Sequence, residues 1–148
     1  MDYQFKAAET TYSLDAEKAI LGNILLYNQN IELVEDQLLV EDFYDKRNKV
    51  IYKQLCVLNQ SNTPFDVLIL SEYLATEGTL DEAGGEAYII DLAANSPSIA
   101  NIRAYSEIVK DKAKLRSLHS SLNDIAQKIN SSASQNPDEV IDYAESRI

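Results

Sequence analysis

Apolar residues recur at helical spacing along most of this chain, and short polar breaks separate the segments in which they do so. The first segment begins at Ser13, a good N-cap, and ends at the polar residues 28–30. Its apolar positions are Leu14, Ile20, Leu21, Ile24 and Leu25. Gly22 lies among them and costs about 1 kcal/mol of helix propensity relative to alanine, so we expect it to admit a neighbouring helix. A short second helix is predicted by Ile31, Val34 and Leu38.

Two more helices are predicted between residues 45 and 78. Asp45 is expected to cap the third helix and Asp66 the fourth, which ends at Gly78 because glycine suits the position after a helix. The apolar stripe of the third helix is Val50, Ile51, Leu55 and Leu58. In the turn before this helix, Val40, Phe43 and Tyr44 are expected to form a small apolar cluster that faces the core. On the fourth helix, the residues expected to face inward are Leu68, and Tyr73 or Leu74.

The stretch DEAGGEAYII, residues 81–90, raises the question of a phosphate-binding turn, because a glycine pair opens a helix there. A Walker loop needs a lysine and then a serine or threonine after its last glycine, and a dinucleotide fingerprint needs three spaced glycines after a strand. Gly84 and Gly85 satisfy neither pattern. We therefore interpret residues 81–85 as a turn that leads into a fifth helix over residues 86–94, which ends before Pro97.

From Ile99 to Asn130 no helix breaker interrupts the pattern, which predicts one helix of about 45 Å. Its apolar residues fall at the heptad spacing by which helices pair, and they are Ile108, Leu115, Leu118, Leu122, Ile125 and Ile129. After a polar turn, Asn136 and Pro137 start a last helix that carries Val140 and Ile141. We expect this helix to fold back on the heptad row as an antiparallel hairpin. The row then meets either a partner or the rest of the chain.

The whole pattern predicts an all-α protein, with a globular multi-helix head followed by a long antiparallel helical hairpin. The predicted limits are a flexible tail at 1–11, the head at 12–98 and the hairpin at 99–148. Because the sequence stops within a helix, we expect a piece of a longer protein. The length of 148 residues, with four glycines and three prolines, agrees with one domain of long helices.

The charge distribution argues against a protein that binds DNA strongly. The net charge is −11, whereas DNA binding needs lysine and arginine against the phosphates. No basic residue occurs between Lys53 and Arg103, and eight of the 13 lysines and arginines lie in two clusters, at 46–53 and 110–116. Each bunch could touch a phosphate or an acidic partner, or could be a solvated helix face. No apolar run is long enough to span a membrane and no signal peptide is evident, so we expect a cytoplasmic protein.

No constellation of catalytic or metal-binding residues emerges from the sequence. A zinc site needs several cysteines and histidines, and the chain has one of each, Cys56 and His119. A single cysteine also fits a reducing compartment. We interpret Cys56 as a small core or near-core residue, and His119 as a satisfied or solvent-facing one. We predict no catalytic, cofactor-binding or metal-binding residue, which disfavours a small-molecule enzyme.

Five segments of the chain follow one another in a recognisable order: SLDAEKAILGNIL, DFYDKRNKVIY, PFDVLILSEYL, GTLDEAGGEAYIIDLAANSPSIANIRAYSEIV and YAESR. In this order and spacing they resemble the N-terminal domain of the DnaB-type replicative DNA helicases, over a stretch from about Tyr12 to Arg147. The resemblance implies a helical head and a hairpin. It also implies that hairpins pair between subunits and build the N-terminal collar of a hexamer. The ATPase domain of the family, with its ATP and magnesium, has no counterpart in the sequence.

The resemblance also implies partners, namely a second copy of the chain, the C-terminal domain of primase and, as a further candidate, a helicase loader. Neither strong DNA binding nor a membrane is expected. The residues expected to form the protein-interaction surface are Ile108, Leu115, Leu118, Leu122, Ile125, Ile129, Val140 and Ile141. In the family the response to primase maps to the hairpin, which points to Leu118, His119 and Ile125. An apolar residue is expected where His119 stands.

Two other interpretations stay open. A small helical DNA-binding regulator would need a basic recognition helix. A generic helical interaction module would use the same heptad row without belonging to a helicase.

Overall fold

The computed structural model describes residues 9–97, 101–131 and 136–148. Within these ranges the α-helices are α1 (Leu14–Leu26), α2 (Ile31–Glu35), α3 (Lys46–Gln60), α4 (Val67–Glu77), α5 (Gly85–Ala94), α6 (Ile102–Asn130) and α7 (Pro137–Arg147). Short 3-10 turns occupy Glu9–Thr11, Asn28–Asn30 and Val40–Asp42, and the described residues contain no strand. The predicted all-α fold is confirmed.

The chain divides into two compact units. One runs from Ser13 to Asp111, and the other combines Met1–Tyr12 with Lys112–Ile148. The limits predicted from the sequence stay predictions, because residues 1–8 of the tail and the expected start of the long helix at Ile99 lie outside the described residues.

Four of the described helices begin at the residues predicted to cap them, and α4 also ends at the predicted glycine. The side chains of Ser13, Asp45 and Asp66 accept hydrogen bonds from backbone N–H groups in the first turns of α1, α3 and α4. Asn136 does the same for α7. Gly78 follows α4 in the left-handed conformation at φ 75°, which side chains other than glycine rarely adopt. Local chemistry therefore sets these boundaries.

In the Ser13–Asp111 unit, α1 is the central helix because it packs against both α3 and α5. The large side chains that are fully buried in this unit are Ile20, Leu21, Ile24, Ile31, Phe43, Ile51, Tyr52, Leu55, Leu58, Leu70, Leu74 and Ile89. The rings of Phe43 and Tyr52 stack at a centroid distance of 4.7 Å. The first turns of α6 complete the core with Ile102 and Val109.

Two residues that were expected to face the core are exposed. Leu68 is 60% exposed because α4 packs on the side of Leu70 and Leu74, and Leu68 lies about 160° from Leu70 around the helix. Tyr44 is 37% exposed although its neighbour Phe43 is fully buried. Phe43 has an extended backbone, in which successive side chains point to opposite sides.

Gly22 marks the closest approach of α5 to α1. A Cβ atom at this position would lie 2.2 Å from the backbone oxygen of Leu92 and 2.9 Å from Cβ of Ser96. The expectation that Gly22 admits a neighbouring helix is confirmed.

We expect Gly22→Ala to destabilise the fold by about 1–3 kcal/mol, because the backbone of α5 would have to move away. In a helix without such a neighbour, the same substitution would stabilise by about 1 kcal/mol. The sign of the change in the free energy of unfolding, measured by urea denaturation, therefore tests the contact. A variant more stable than the parent chain would contradict it.

Candidate protein-interaction surface

The heptad residues of α6 lie largely open to solvent. The exposed fractions are 41% for Ile108, 49% for Leu115, 45% for Leu118, 49% for Leu122 and 58% for Ile129. Ile125 is half-buried. Single exposed leucines are common on protein surfaces, but a continuous row at heptad spacing is typical of a surface that pairs with another helix. We call Leu115, Leu118, Leu122 and Ile129 the open row.

α7 runs antiparallel to the C-terminal half of α6. Arg147 forms an ion pair with Asp124, and the Lys128 ammonium lies 5.3 Å from the ring centroid of Tyr143. Tyr143 of α7 contacts Lys128 of α6, and the later residue Arg147 contacts the earlier residue Asp124. The two helices therefore run in opposite directions. The two helices of this unit therefore form the expected antiparallel hairpin.

The open row is not the side of α6 on which α7 packs. At about 100° per residue, Asp124 and Lys128 lie about 120–160° from Leu122 around the helix. Val140 of α7 is half-buried, whereas Ile141 is 53% exposed. The expected hairpin is present, but α7 leaves Leu122 and Ile129 of the row exposed, while Ile125 is half-buried.

A third side of α6 carries the N-terminal turn Glu9–Thr11. Lys112 Nζ donates a hydrogen bond of 2.8 Å to the carbonyl oxygen of Thr10, and Arg116 Nη1 donates one of 2.6 Å to that of Thr11. Lys112 and Arg116 lie about 60–100° from Leu115, in the direction away from α7. Among the described residues of this unit, the turn and α7 thus flank the open row without packing over it.

Most of the basic bunch at 110–116 is engaged within the chain. Lys110 forms a 2.9 Å ion pair with Asp42, and Lys112 and Arg116 hold the N-terminal turn. Lys114 is exposed. Lys110 is thus engaged within the Ser13–Asp111 unit, and Lys112 and Arg116 are engaged within the other unit.

Three of the five segments that carry the family resemblance meet in a polar network of the Ser13–Asp111 unit. Glu17 is 1% exposed, and its carboxylate accepts hydrogen bonds from the backbone N–H groups of Tyr44, at 2.8 Å, and Asp45, at 3.2 Å. It also accepts one of 3.0 Å from the side-chain amide of the fully buried Asn48. The hydroxyl of Tyr88 donates to the amide oxygen of Asn48. The network joins α1, α3 and α5.

The glycine pair of the stretch DEAGGEAYII lies beside this network. Gly84 and Gly85 have φ angles of 91° and 83°, and a Cβ on Gly84 would lie 2.9 Å from atoms of both Arg47 and Tyr88. The Arg47 guanidinium stacks 4.0 Å over the Tyr88 ring and forms an ion pair with Asp45. The predicted turn is confirmed, and its glycines are required by backbone conformation and by this close packing.

The role of Glu17 was missed in the sequence, where the residue reads as a favourable charge at the start of α1. One signal points to its burial, since Glu17 shares the helical stripe of Ile20, Leu21 and Ile24. The partners of Glu17 lie 27 to 31 residues away in the chain, and no local pattern identifies them.

Several ionisable groups of this unit have shifted pKa values, among them Asp45, Tyr88 and Cys56. The hydrogen bond from Arg47 lowers the pKa of Asp45. Burial raises the pKa of Tyr88 from 10.0 to about 12 and that of Cys56 from 9.0 to about 12, and the negative charge of Glu35 adds to the effect on Cys56. Because the last two values lie above those of the unfolded chain, their contribution to stability is complete below pH 9 and is lost as the pH rises towards 12.

We expect Cys56 to react with iodoacetamide at pH 8 at least ~100-fold more slowly than an unperturbed thiol, because the thiolate is the nucleophile. The rate should become normal in denaturing urea. Mass spectrometry over time measures both rates, and equal rates with and without urea would contradict the half-buried position of this thiol.

Among the described residues, no three histidines, cysteines or acidic residues are grouped so that they could hold a metal ion. The same residues include no helix with the length and apolar content that a membrane span requires.

Comparisons with known proteins agree with the architecture. The model of the family "DnaB-like helicase N terminal domain" matches residues 9–111. The replicative DNA helicase DnaB of Pasteurella multocida is 34% identical over 137 residues, which are 93% of this chain and 29% of that protein. The chain thus spans less than a third of the length of this relative.

Two solved structures are similar over nearly their whole length. The N-terminal domain of DnaB helicase from Mycobacterium tuberculosis superposes with a TM-score of 0.86 at 29% identity, covering 94% of this chain and 98% of that one. The corresponding domain from Helicobacter pylori, described with its interactions with primase, gives a TM-score of 0.70 at 26% identity and covers 88% and 99%. Family model, relative and structures agree, and the chain belongs to the family of DnaB-like helicase N-terminal domains.

Proposed function

We propose that this chain is the N-terminal domain of a hexameric replicative DNA helicase, in which it pairs subunits, builds the N-terminal collar and docks primase in the cytoplasm. The observation that carries the proposal is the open row of α6. Because the chain covers 29% of the Pasteurella relative, we assign ATP hydrolysis, with ATP and magnesium, to another part of the full-length protein. The domain itself acts through its surfaces, without a cofactor.

The open row supports pairing with a second copy. Its side chains are about half exposed, and complete burial of a leucine or isoleucine contributes about 1.5–3 kcal/mol relative to full exposure. An interface between two copies buries the row of both. The gain is then of the size needed to offset the entropy of association.

The charges beside the row favour an antiparallel arrangement of the two α6 helices. Lys112, Lys114 and Arg116 follow one another at one end of the row, while residues 117–123 carry no Asp, Glu, Lys or Arg. A parallel pair would place the two cationic stretches side by side. An antiparallel pair separates them, opposes the helix dipoles and brings Leu115 of one copy to Leu122 of the other.

Primase docking is proposed for the same hairpin. The Helicobacter pylori domain is described together with its interactions with primase, and the present chain matches it over 88% of its length. Of the three residues that the resemblance points to, Leu118 is 45% exposed, whereas His119 and Ile125 are half-buried. Leu118 is therefore the residue best placed to contact a partner.

We expect Leu118→Ala combined with Ile125→Ala to weaken binding of the cognate primase C-terminal domain by about 10-fold or more, because truncating an apolar anchor typically costs 1–2 kcal/mol or more. His119→Ala should change binding less. A pull-down followed by titration calorimetry measures the affinities.

The matched control removes exposed apolar side chains elsewhere, with Leu68→Ala and Ile90→Ala, which are 60% and 50% exposed. This variant should bind primase as the parent chain does. If the control lost affinity and the α6 variant kept it, primase would dock on the Ser13–Asp111 unit instead.

A DNA-binding regulator is the weaker interpretation. Lys110, Lys112 and Arg116 are engaged within the chain, and the net charge is −11. No described helix presents a continuous basic face of the kind that duplex binding needs.

A further inference from the structure

The N-terminal turn is held on α6 by side chains rather than by apolar packing alone. Two consecutive carbonyl groups, of Thr10 and Thr11, accept hydrogen bonds from Lys112 and Arg116. These two cations are four residues apart and so lie on the same side of the helix. Thr11 is 7% exposed, whereas threonines are mostly exposed in folded proteins. The contact is therefore specific.

The turn keeps both cations beside the open row but directed towards the chain itself. Arg116 follows Leu115 directly and lies about 100° from it around the helix. Long cationic side chains can swing across such an angle when nothing holds them. In the antiparallel pair, the two copies of Arg116 are about five residues apart along the axis, or about 8 Å. Unrestrained, they would repel each other at the interface.

We propose that residues 9–12 act as a strap, which holds Lys112 and Arg116 away from the open row and thereby keeps the row suited to a second copy. This proposal rests on the proposed pairing of the domain. The strap promotes pairing by directing two positively charged side chains towards the N-terminal turn instead of across the apolar surface. Its own attachment to α6 is independent of pairing, so the two can be measured separately.

The attachment is tested by limited digestion with chymotrypsin, which cleaves after Tyr12, a half-buried residue. Lys112→Gln with Arg116→Gln should increase the rate of this cleavage at least ~10-fold, because transient release of the segment exposes the bond. Lys114→Gln is the matched control, because Lys114 lies between the two cations in sequence and is exposed. Equal cleavage rates in both variants would overturn the strap.

The effect on pairing is tested by deleting residues 1–12 in the otherwise complete chain. We expect self-association to weaken about 10-fold at low salt, and the loss to shrink in 0.5 M NaCl because salt screens the freed charges. Adding Lys112→Gln and Arg116→Gln to the deletion should restore association. Circular dichroism verifies that each variant stays helical.

The outcomes separate the strap from the proposed function. If the parent chain associates and the deletion has no effect, or its loss is not restored by the two glutamines, the strap does not control pairing. If the parent chain does not associate at all, the proposed pairing fails together with this role. The chymotrypsin experiment then still decides whether the strap is attached.

Discussion

Replacing Leu115 and Leu122 together with aspartate is expected to weaken self-association of the chain by at least about 100-fold, since burying unpaired carboxylates costs several kcal/mol. Both leucines are 49% exposed in the single chain, so the substitution should leave the fold itself intact. Sedimentation velocity over a range of concentrations measures the dissociation constant. Circular dichroism and thermal unfolding report on the fold.

The matched control places two aspartates at other exposed leucines, Leu39 and Leu68, which are 57% and 60% exposed in the Ser13–Asp111 unit. This variant carries the same added charge but keeps the open row, and it should associate as the parent chain does. If Leu115→Asp with Leu122→Asp associates with unchanged affinity, the open row is not the pairing surface.

Glu17→Ala is expected to destabilise the Ser13–Asp111 unit by about 3–5 kcal/mol, because three donors, one of them on the fully buried Asn48, lose a charged acceptor. The carboxylate accepts from two backbone N–H groups and from the amide of Asn48. In a unit of this size, such a loss lowers the midpoint of thermal unfolding by about 15 °C or more. Urea denaturation gives the free energy directly.

The control for Glu17 is Asp15→Ala, which removes an exposed carboxylate from the same first turn of α1. It should cost no more than about 1 kcal/mol, the size of a charge effect at a helix N-terminus. Glu17→Gln should fall between the two, because it keeps one acceptor oxygen. Equal losses for Glu17→Ala and Asp15→Ala would show that the network does not hold these elements together.

The features that the sequence predicted correctly depend on neighbours within a few residues. The caps Ser13, Asp45 and Asp66 act on backbone groups of their own helices, and the glycine turn at 81–85 is a local conformation. The heptad row is equally local, because all its residues belong to one helix and their spacing can be read from the sequence. Gly22 was predictable for a different reason, since a glycine inside a helix usually has a packing role.

The features that were not predicted depend on contacts with elements that are distant in the sequence. Glu17 reads as a surface charge until α3 brings Asn48 and two backbone N–H groups to it. The contacts of α7 with α6 include the polar residues Asp124 and Lys128, which the pattern of apolar residues does not indicate. Leu68 was misplaced because several registers fit a helix that is apolar on most sides.

The central claim, that the open row joins two copies, is tested most directly by disulfide cross-linking on a Cys56→Ser background. Chains carrying Leu115→Cys are mixed with chains carrying Leu122→Cys and oxidised gently, and Val57→Cys, at a residue 48% exposed on α3, serves as the control. The antiparallel pairing predicts rapid cross-linking of the mixed pair and little for the control. If the mixed pair cross-links no faster than the control, the open row is not where two copies meet.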